Sequence, residues 1–194
     1  MMVKSWLLGL GAILLSLQVQ ADGLIDLGEA VKVYPAGKSR VNEVQLQLYS
    51  DKFGEQLQLV AQRPIGGSKT LSLPIKDAEK LHQALQKAQR WSDTAREHKT
   101  AMIKPLACIG EDPTGACAQT GATVDINQLG MLFNAEEGGT PSVLIMSFRS
   151  GPARTRSAFF LDDKGLAQLT QQIATWQDGL ERLRVQQAKE ALFN

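Results

Sequence analysis

Two stretches of the chain share one pattern, in which a short apolar strand leads directly into an amphipathic helix. In the clearer copy, residues 154–183, the segment 157–161 reads Ser-Ala-Phe-Phe-Leu and is predicted as a strand. Large apolar residues then recur in steps of three and four, and they are Leu166, Leu169, Ile173, Trp176, Leu180 and Leu183. Because this spacing places all six along one side of a helix, one long amphipathic helix is predicted after the strand.

The earlier copy of the pattern lies 88 positions upstream, so that Leu73 corresponds to Leu161. Its strand closes with Leu71 and Leu73, and its helical stripe consists of Ala78, Leu81, Leu85, Ala88 and Ala95. The correspondence fails where Ser92 stands opposite Leu180. A repeat of this kind predicts two similar halves, each built from strands followed by a helix.

Four strands are predicted in each half, because short apolar or alternating segments are separated by turn residues. In the first half they are residues 30–34, 44–49, 57–61 and 69–73. In the second half they are residues 101–108, a segment within 122–133, residues 142–150 and residues 153–161. The expected fold class is therefore α+β, a tandem ββββα repeat in which two antiparallel four-stranded meanders are each followed by an amphipathic helix.

The two halves are expected to cover residues 22–99 and 100–194 and to pack as one globular unit, since a single sheet with one helix leaves apolar surface uncovered. Residues 22–28 have no clear period and are expected to form a mobile leader. The last helix is expected to kink at Gly179, and the polar tail, residues 186–194, to project or fray.

A meander and helix that occur twice in one chain resemble the architecture of the whirly and Pur-type single-strand nucleic-acid binders. This is a resemblance of topology that covers most of the chain after residue 21. It implies a fold and carries no function with it, because one fold can host many activities.

The N-terminal residues 1–21 have the features of a cleavable signal peptide. Lys4 supplies a positive charge, residues 6–17 are largely apolar, and Val19-Gln20-Ala21 offers small or medium residues at a peptidase site. The alternative is a retained membrane anchor. The apolar run of about 12 residues argues against it, because about 20 residues are needed to span a bilayer. Cleavage is predicted after Ala21, with the bacterial periplasm as the destination and no transmembrane anchor in the mature chain.

Cys108 and Cys117 are the two cysteines of the chain, and in an exported protein such a pair predicts a disulfide. The segment between them contains Asp-Pro-Thr-Gly at residues 112–115, a type I turn signal that would bring the two sulfurs together. A redox-active pair is the alternative. It lacks the Cys-x-x-Cys spacing that lowers a thiol pKa.

Charge is balanced along the chain, with 21 basic and 20 acidic residues and a formal net charge of +1. A chain without a net field has no general attraction to nucleic acid or anionic lipid. The local exception is a possible anion-binding hairpin formed by Arg149, Arg154 and Arg156, whose guanidinium groups suit phosphate or carboxylate. The alternative is a solvated hairpin whose arginines protect an edge strand from pairing.

Other residues with catalytic or metal-binding chemistry are few in this sequence. His82 and His98 are the two histidines, and because they are 16 positions apart with no nearby cysteine they predict no metal site. The segment 147–151, Ser-Phe-Arg-Ser-Gly, lacks the first glycine of a nucleophile elbow. No cofactor is predicted. Trp91 and Trp176 are expected to serve in packing between elements.

These observations favour an exported, non-catalytic envelope protein that binds or assembles with a protein partner. The first alternative is a polyanion-binding module that holds nucleic acid or another phosphate-bearing ligand on the arginine hairpin. The second alternative is an enzyme whose site the sequence does not reveal. A large apolar patch on the structure would support the protein-binding hypothesis.

Overall fold

The computed structural model describes residues 23–37, 40–65, 67–110, 128–149 and 154–193. The predicted signal peptide at residues 1–21, the predicted disulfide partner Cys117 and the hairpin turn at residues 150–153 lie outside the described residues.

Within these ranges the protein is α+β, with two antiparallel sheets and three helices. The strands are β1 (Gly23–Asp26), β2 (Val31–Lys32), β3 (Tyr34–Pro35), β4 (Glu43–Asp51), β5 (Gly54–Gln62), β6 (Lys69–Pro74), β7 (Met102–Ile109), β8 (Gln128–Ala135), β9 (Pro141–Arg149) and β10 (Arg154–Leu161). The helices are α1 (Ala78–His98), which follows a 3-10 turn at Ile75–Asp77, α2 (Asp163–Ile173) and α3 (Trp176–Glu190).

The first sheet has the order β1-β4-β5-β6, with the short β2 also paired to β4. The second sheet has the order β3-β10-β9-β8-β7. Each described sheet therefore has one strand more than the predicted four. The additional strands come from the N-terminal segment, where residues 23–26 form β1 and so differ from the expected mobile leader.

β3 is the N-terminal strand that crosses to the second sheet, where it pairs with β10. The segment before β4 thus contributes an edge to both sheets. Such a crossing depends on contacts between residues more than 120 positions apart, which no local sequence pattern reports.

The helices exchange sheets between the two halves. α1 follows the first sheet in the chain but packs against β7, β8 and β9 of the second sheet. α3 follows the second sheet but packs against β1 and β4 of the first, and α2 lies against α1. The inner faces of both sheets and the stripes of the helices therefore form one continuous apolar core.

The final helical region is divided at Ala174 and Thr175, where the predicted single helix has a turn. The Thr175 backbone N–H donates to Gln172 O at 3.1 Å, and its hydroxyl donates to the same oxygen at 2.8 Å. α3 then continues to Glu190, so most of the predicted tail is helical.

Gly179, the expected kink, instead lies inside α3 at its close approach to the first sheet. A Cβ at this position would come 2.7 Å from Leu27 Cδ2 and 2.8 Å from Leu48 Cδ1. The absence of a side chain therefore allows the helix backbone to lie directly on buried leucines.

Candidate interaction face

The outer face of the first sheet is largely polar, as the alternation in its strands predicts, although Leu24, Tyr49, Val60 and Pro74 also occupy outward positions on it. On β4 and β5 the leucines are buried, while the residues between them are half-buried. The glutamines on this outer face are Gln45, Gln47, Gln56, Gln58 and Gln62. Gln47 donates to Asp26 Oδ1 at 2.7 Å, and Gln58 donates to Ser72 Oγ at 3.3 Å. This face has the composition expected of a solvated sheet surface.

The outer face of the second sheet is different, because apolar residues run across all five strands in register. Consecutive cross-strand partners are Pro105, Leu132, Leu144, Phe160 and Tyr34. We call these five residues the apolar row. With strands ~4.8 Å apart, the row is about 19 Å long.

Residues of the apolar row are half-buried or exposed, in contrast to their neighbours along each strand. Leu132, Leu144 and Phe160 are half-buried, whereas Tyr34 is 48% exposed and Pro105 is also exposed. The residues that alternate with them face the core, and these are Phe133, Val143, Ile145, Phe159 and Leu161. α1 and α2 pack on that core-facing side of the sheet.

Ile103 extends the apolar surface beside the row. It is 70% exposed on the edge strand β7, two residues before Pro105. Its cross-strand neighbour Asn134 donates to Ser142 Oγ at 3.4 Å, so the adjacent position on this face is polar and uncharged.

A capping contact holds the Tyr34 end of the row. The Tyr34 hydroxyl donates to Asp162 Oδ2 at 3.3 Å. Asp162 is the N-cap of α2, and its Oδ1 accepts the backbone N–H of Gly165 at 2.8 Å. The Asp162 carboxylate therefore stabilises the start of α2 and also holds the Tyr34 side chain at the end of the apolar row.

The sequence contained a signal for this face. Residues 142–150 were predicted as one strongly apolar strand, and such a run is typical of strands that are covered on both faces. The adjacent Phe159 and Phe160 carry the same signal on β10. Alternation alone would have placed only one of each adjacent apolar pair in the core.

The predicted anion-binding arginines lie at the hairpin end of β9 and β10. The register places Arg154 directly opposite Arg149. The register shifts between Thr155 and Ser157, at the position of Arg156. The side chains of these three arginines lie outside the described part of the chain.

The histidines are not brought together. His82 is half-buried on α1, where its Nε2 lies 2.9 Å from Gln86 Nε2, and His98 is exposed at the end of the same helix. Within residues 23–37, 40–65, 67–110, 128–149 and 154–193, no group of three or more His, Cys, Asp or Glu could hold a metal ion.

Cys108 lies half-buried on β7, opposite Gly130 of β8. Because Cys117 is outside the described residues, the disulfide remains a prediction.

Two polar contacts connect the halves of the chain away from the apolar row. Ser92 of α1, Arg96 and Asp163 of α2 form a cluster that lies between the two helices. On the first sheet, Arg184 of α3 donates to both carboxylate oxygens of Glu55, at 2.6 and 2.8 Å, which raises the pKa of Arg184 above its ordinary value. Ser92 is 1% exposed and has no histidine beside it, so the cluster is suited to packing rather than to nucleophilic attack.

No family model matches this chain, and comparison with curated proteins and with solved structures found no match either. Among the helices that the structure describes, none combines the length and the apolar character needed to span a membrane.

Proposed function

We propose that this protein is an exported, non-catalytic envelope protein that binds or assembles with a protein partner through the outer face of its second sheet. The observation that carries the proposal is the apolar row, from Pro105 through Leu144 to Tyr34. The polar outer face of the first sheet provides the comparison within the same molecule.

An interface at this face would gain from apolar burial at its centre. Full burial of a large apolar side chain contributes about 1.5–3 kcal/mol relative to exposure, and Leu132, Leu144 and Phe160 are already half-buried. Aromatic residues are enriched in interfaces, and charged residues are depleted from their cores. Phe160 and Tyr34 supply the aromatic part, and the described residues of the row carry no charge.

Export to the periplasm belongs to the same proposal. It is supported by the signal-like features of residues 1–21 and by the pair Cys108 and Cys117, which would be oxidised in that compartment. A membrane anchor is not required, since the interaction face is part of the folded domain.

We also propose that the two halves are diverged copies of a ββββα unit with a whirly-like topology. In support, β4, β5 and β6 precede α1 in the same antiparallel order in which β8, β9 and β10 precede α2. The exchange of α1 and α3 between sheets would then follow from packing of the copies against each other.

The experiment that tests the interaction is a pull-down with the exported chain from envelope extract under oxidising conditions, at low and then at high salt. Leu144→Lys places a charge at the centre of the apolar row. The matched control is Val60→Lys, because Val60 is half-buried at an outward position on the central strand β5 of the polar first sheet.

A partner that is retained at high salt by the wild type and by Val60→Lys, and lost with Leu144→Lys, is the expected result. Failure of the wild-type chain to retain any protein would overturn the proposal. Equal retention by both variants would also overturn it, because the apolar row would then have no role.

A polyanion-binding function is the second candidate, and the cross-strand pairing of Arg149 with Arg154 favours it. Like charges directly opposite each other destabilise a sheet, and a bound anion would offset that cost.

The test of this second candidate measures binding of a single-stranded oligonucleotide and of inorganic polyphosphate as salt is varied. Arg149→Ala, Arg154→Ala and Arg156→Ala together should abolish a steep salt dependence, whereas Arg182→Ala with Lys189→Ala on exposed α3 should not. Binding that ignores salt would contradict this candidate.

A further inference from the structure

We infer that one end of the first sheet docks on the surface of a lipid bilayer by inserting exposed phenylalanine and leucine side chains. This end consists of the β4–β5 hairpin at residues 51–54, the C-terminal residues 188–193 and the start of β1 at Gly23. We call it the docking end. It is separate from the apolar row, which lies on the second sheet.

α3 runs along β1 toward the docking end. A Cβ on Gly179 would come 2.7 Å from Leu27 Cδ2. Eight residues later on the helix, Gln187 Cγ would lie 3.4 Å from a Cβ on Gly23. Eight helical residues rise about 12 Å, and the four steps of strand from Leu27 to Gly23 span about 13 Å. Because the two lengths agree, the C-terminal end of α3 lies beside the first residue of β1.

The β4–β5 hairpin protrudes at the same end. Gly23 pairs with Ser50, the residue before the hairpin, whose tip extends about 7 Å beyond this pair. The six residues after Gln187 extend the C-terminal end of the chain by about 9 Å in the same direction. The ion pair of Arg184 with Glu55 connects α3 to the base of the hairpin. The hairpin tip and the C-terminal end therefore protrude to a similar height.

Both protrusions carry large apolar side chains that are exposed to water. Phe53 is 80% exposed at the hairpin tip, and Leu192 and Phe193 are 82% and 90% exposed after α3. The Phe53 backbone N–H donates to Asp51 Oδ1 at 2.8 Å. The backbone N–H groups of Leu192 and Phe193 donate to carbonyl groups in the last turn of α3, each at 3.1 Å. Hydrogen-bonded turns thus present these three side chains outward.

The outer face of the first sheet is also more apolar toward the docking end. The outward row beside the hairpin has three apolar or aromatic members and one glutamine, namely Leu24, Tyr49, Gln56 and Pro74. The next outward row is entirely polar and consists of Asp26, Gln47, Gln58 and Ser72. Apolar surface is therefore graded along the sheet and is greatest where Phe53 protrudes.

A bilayer surface fits this arrangement better than a protein partner does. A specific protein interface needs a contiguous patch of about 800 Å² on each partner, whereas these side chains stand on two separate protrusions. Phenylalanine and leucine insert readily at the boundary between headgroups and acyl chains. Lys52 Nζ lies 5.0 Å from the centre of the Phe53 ring, and its long side chain can keep the ammonium group among the headgroups while the ring inserts.

The N-terminal segment gives a second reason to place a membrane at this end. Residues 6–17 are largely apolar, and this segment joins the folded domain at Gly23. Because a signal segment enters the membrane during export, the chain would leave the bilayer where the docking end begins. This second reason rests on the proposed export, whereas the exposure of Phe53, Leu192 and Phe193 does not.

The charges of the docking end predict how binding depends on lipid composition. Asp51 precedes Lys52 on the hairpin, and Lys189 precedes Glu190 on α3, so each protrusion has one acidic and one basic neighbour. An end without net charge gains little from anionic headgroups. Binding should therefore come from apolar insertion and should persist at high salt.

Flotation with lipid vesicles tests the inference. The chain is used without residues 1–21, because that apolar segment would bind lipid by itself, and every described strand and helix lies after residue 22. The vesicles contain phosphatidylcholine alone or phosphatidylcholine mixed with phosphatidylglycerol. We expect binding to both, with affinities within about threefold of each other and little effect of salt.

Substitutions at the two ends of the first sheet locate the contact. Phe53→Ser with Phe193→Ser should weaken vesicle binding at least about tenfold, because two inserted rings are lost. The matched control is Ile65→Ser, since Ile65 is 79% exposed in the β5–β6 loop at the opposite end of the sheet. The control should bind within about twofold of the wild type. All three positions are exposed, and circular dichroism checks that each variant is folded.

Phe53→Trp retains an aromatic ring and reports its surroundings. Its fluorescence emission should shift to shorter wavelength when vesicles are added, and the emission of Ile65→Trp should not. Equal shifts for the two variants would overturn the assignment to the docking end. Equal losses of binding for the serine variants would do the same.

A wild-type chain that binds neither kind of vesicle would overturn the inference. Binding only to vesicles with phosphatidylglycerol, and its removal by salt, would also overturn it, because charge rather than insertion would then hold the protein. The pull-down with Leu144→Lys remains a separate test. Vesicle binding depends on Phe53 and Phe193 and partner capture depends on the apolar row, so either proposal can fail while the other stands.

Discussion

Ser92 on α1 donates a hydrogen bond of 2.5 Å to Oδ1 of Asp163, the first residue of α2. Arg96 donates to the Ser92 hydroxyl at 3.0 Å and lies 2.8 Å from the same carboxylate oxygen. Ser92 is 1% exposed, so its hydroxyl depends on these partners rather than on water. The contact fixes the start of α2 against the helix of the other half.

Replacement of Ser92 by alanine is expected to lower the free energy of unfolding by about 2 kcal/mol, because a buried hydrogen bond to a charged acceptor is lost. Urea denaturation measures the change. Thr94→Ala is the control, since the Thr94 hydroxyl donates to the Arg90 carbonyl on the exposed side of the same helix. It should stay within about 0.5 kcal/mol of the wild type. Equal losses for both variants would show that the cluster contributes nothing.

The predicted repeat marks Ser92 as an exception to its apolar stripe but gives no reason for a serine at that position. In the predicted repeat Ser92 stands opposite Leu180, and the partner of its hydroxyl is Asp163, 71 residues away. Strands and helices were predictable because their apolar periods are local. The exchange of α1 and α3 between sheets, and the crossing of β3 to β10, depend on which surfaces meet after the elements form.

The candidate interaction face was also only partly predictable from the sequence. The adjacent apolar residues of β9 and β10 indicated strands with two apolar faces. They could not indicate that one side of the second sheet lies against helices while the other presents Leu144 and Phe160 in register. That distinction requires the order of the strands, which a single sequence pattern does not contain.

Lys99 ends α1 in a left-handed conformation, with φ 50° and ψ 39°, while its N–H donates to the Ala95 carbonyl. A residue with a Cβ is strained there, so Lys99→Gly is expected to raise the free energy of unfolding by about 0.5–1 kcal/mol. Thermal denaturation should show an increase of a few degrees. Lys99→Ala keeps the Cβ and should show no such gain. A loss of stability in the glycine variant would contradict the assignment of strain.

The predicted disulfide between Cys108 and Cys117 has a direct test. Closing a loop of about ten residues should stabilise the folded chain by roughly 2–3 kcal/mol in the chain-entropy model. Mass spectrometry with thiol alkylation should detect no free thiol in protein isolated from an oxidising compartment, and a reductant should lower the melting temperature. The variant with Cys108→Ala and Cys117→Ala should melt at the temperature of the reduced wild type. Two free thiols in that preparation would exclude the bridge.

Gly138 and Gly139 form a matched pair in the turn between β8 and β9, with φ values of 95° and 84°. Replacement of either glycine by alanine should lower the free energy of unfolding by about 1–2 kcal/mol, because a Cβ is strained at positive φ. A Cβ on Gly138 would have open space, whereas one on buried Gly139 would collide with the Ala95 carbonyl oxygen and lie 3.1 Å from Arg96 Cα.

Gly139→Ala should therefore lower the free energy of unfolding by at least about 2 kcal/mol more than Gly138→Ala does. The reason is that either the β8–β9 connection or the C-terminal end of α1 must move to make room for the Cβ. Urea denaturation of the two variants measures the difference. Equal losses would mean that the turn is not held against α1. A larger loss of unfolding free energy at Gly139 would show that the backbone of α1 packs directly against the turn between β8 and β9 of the second sheet.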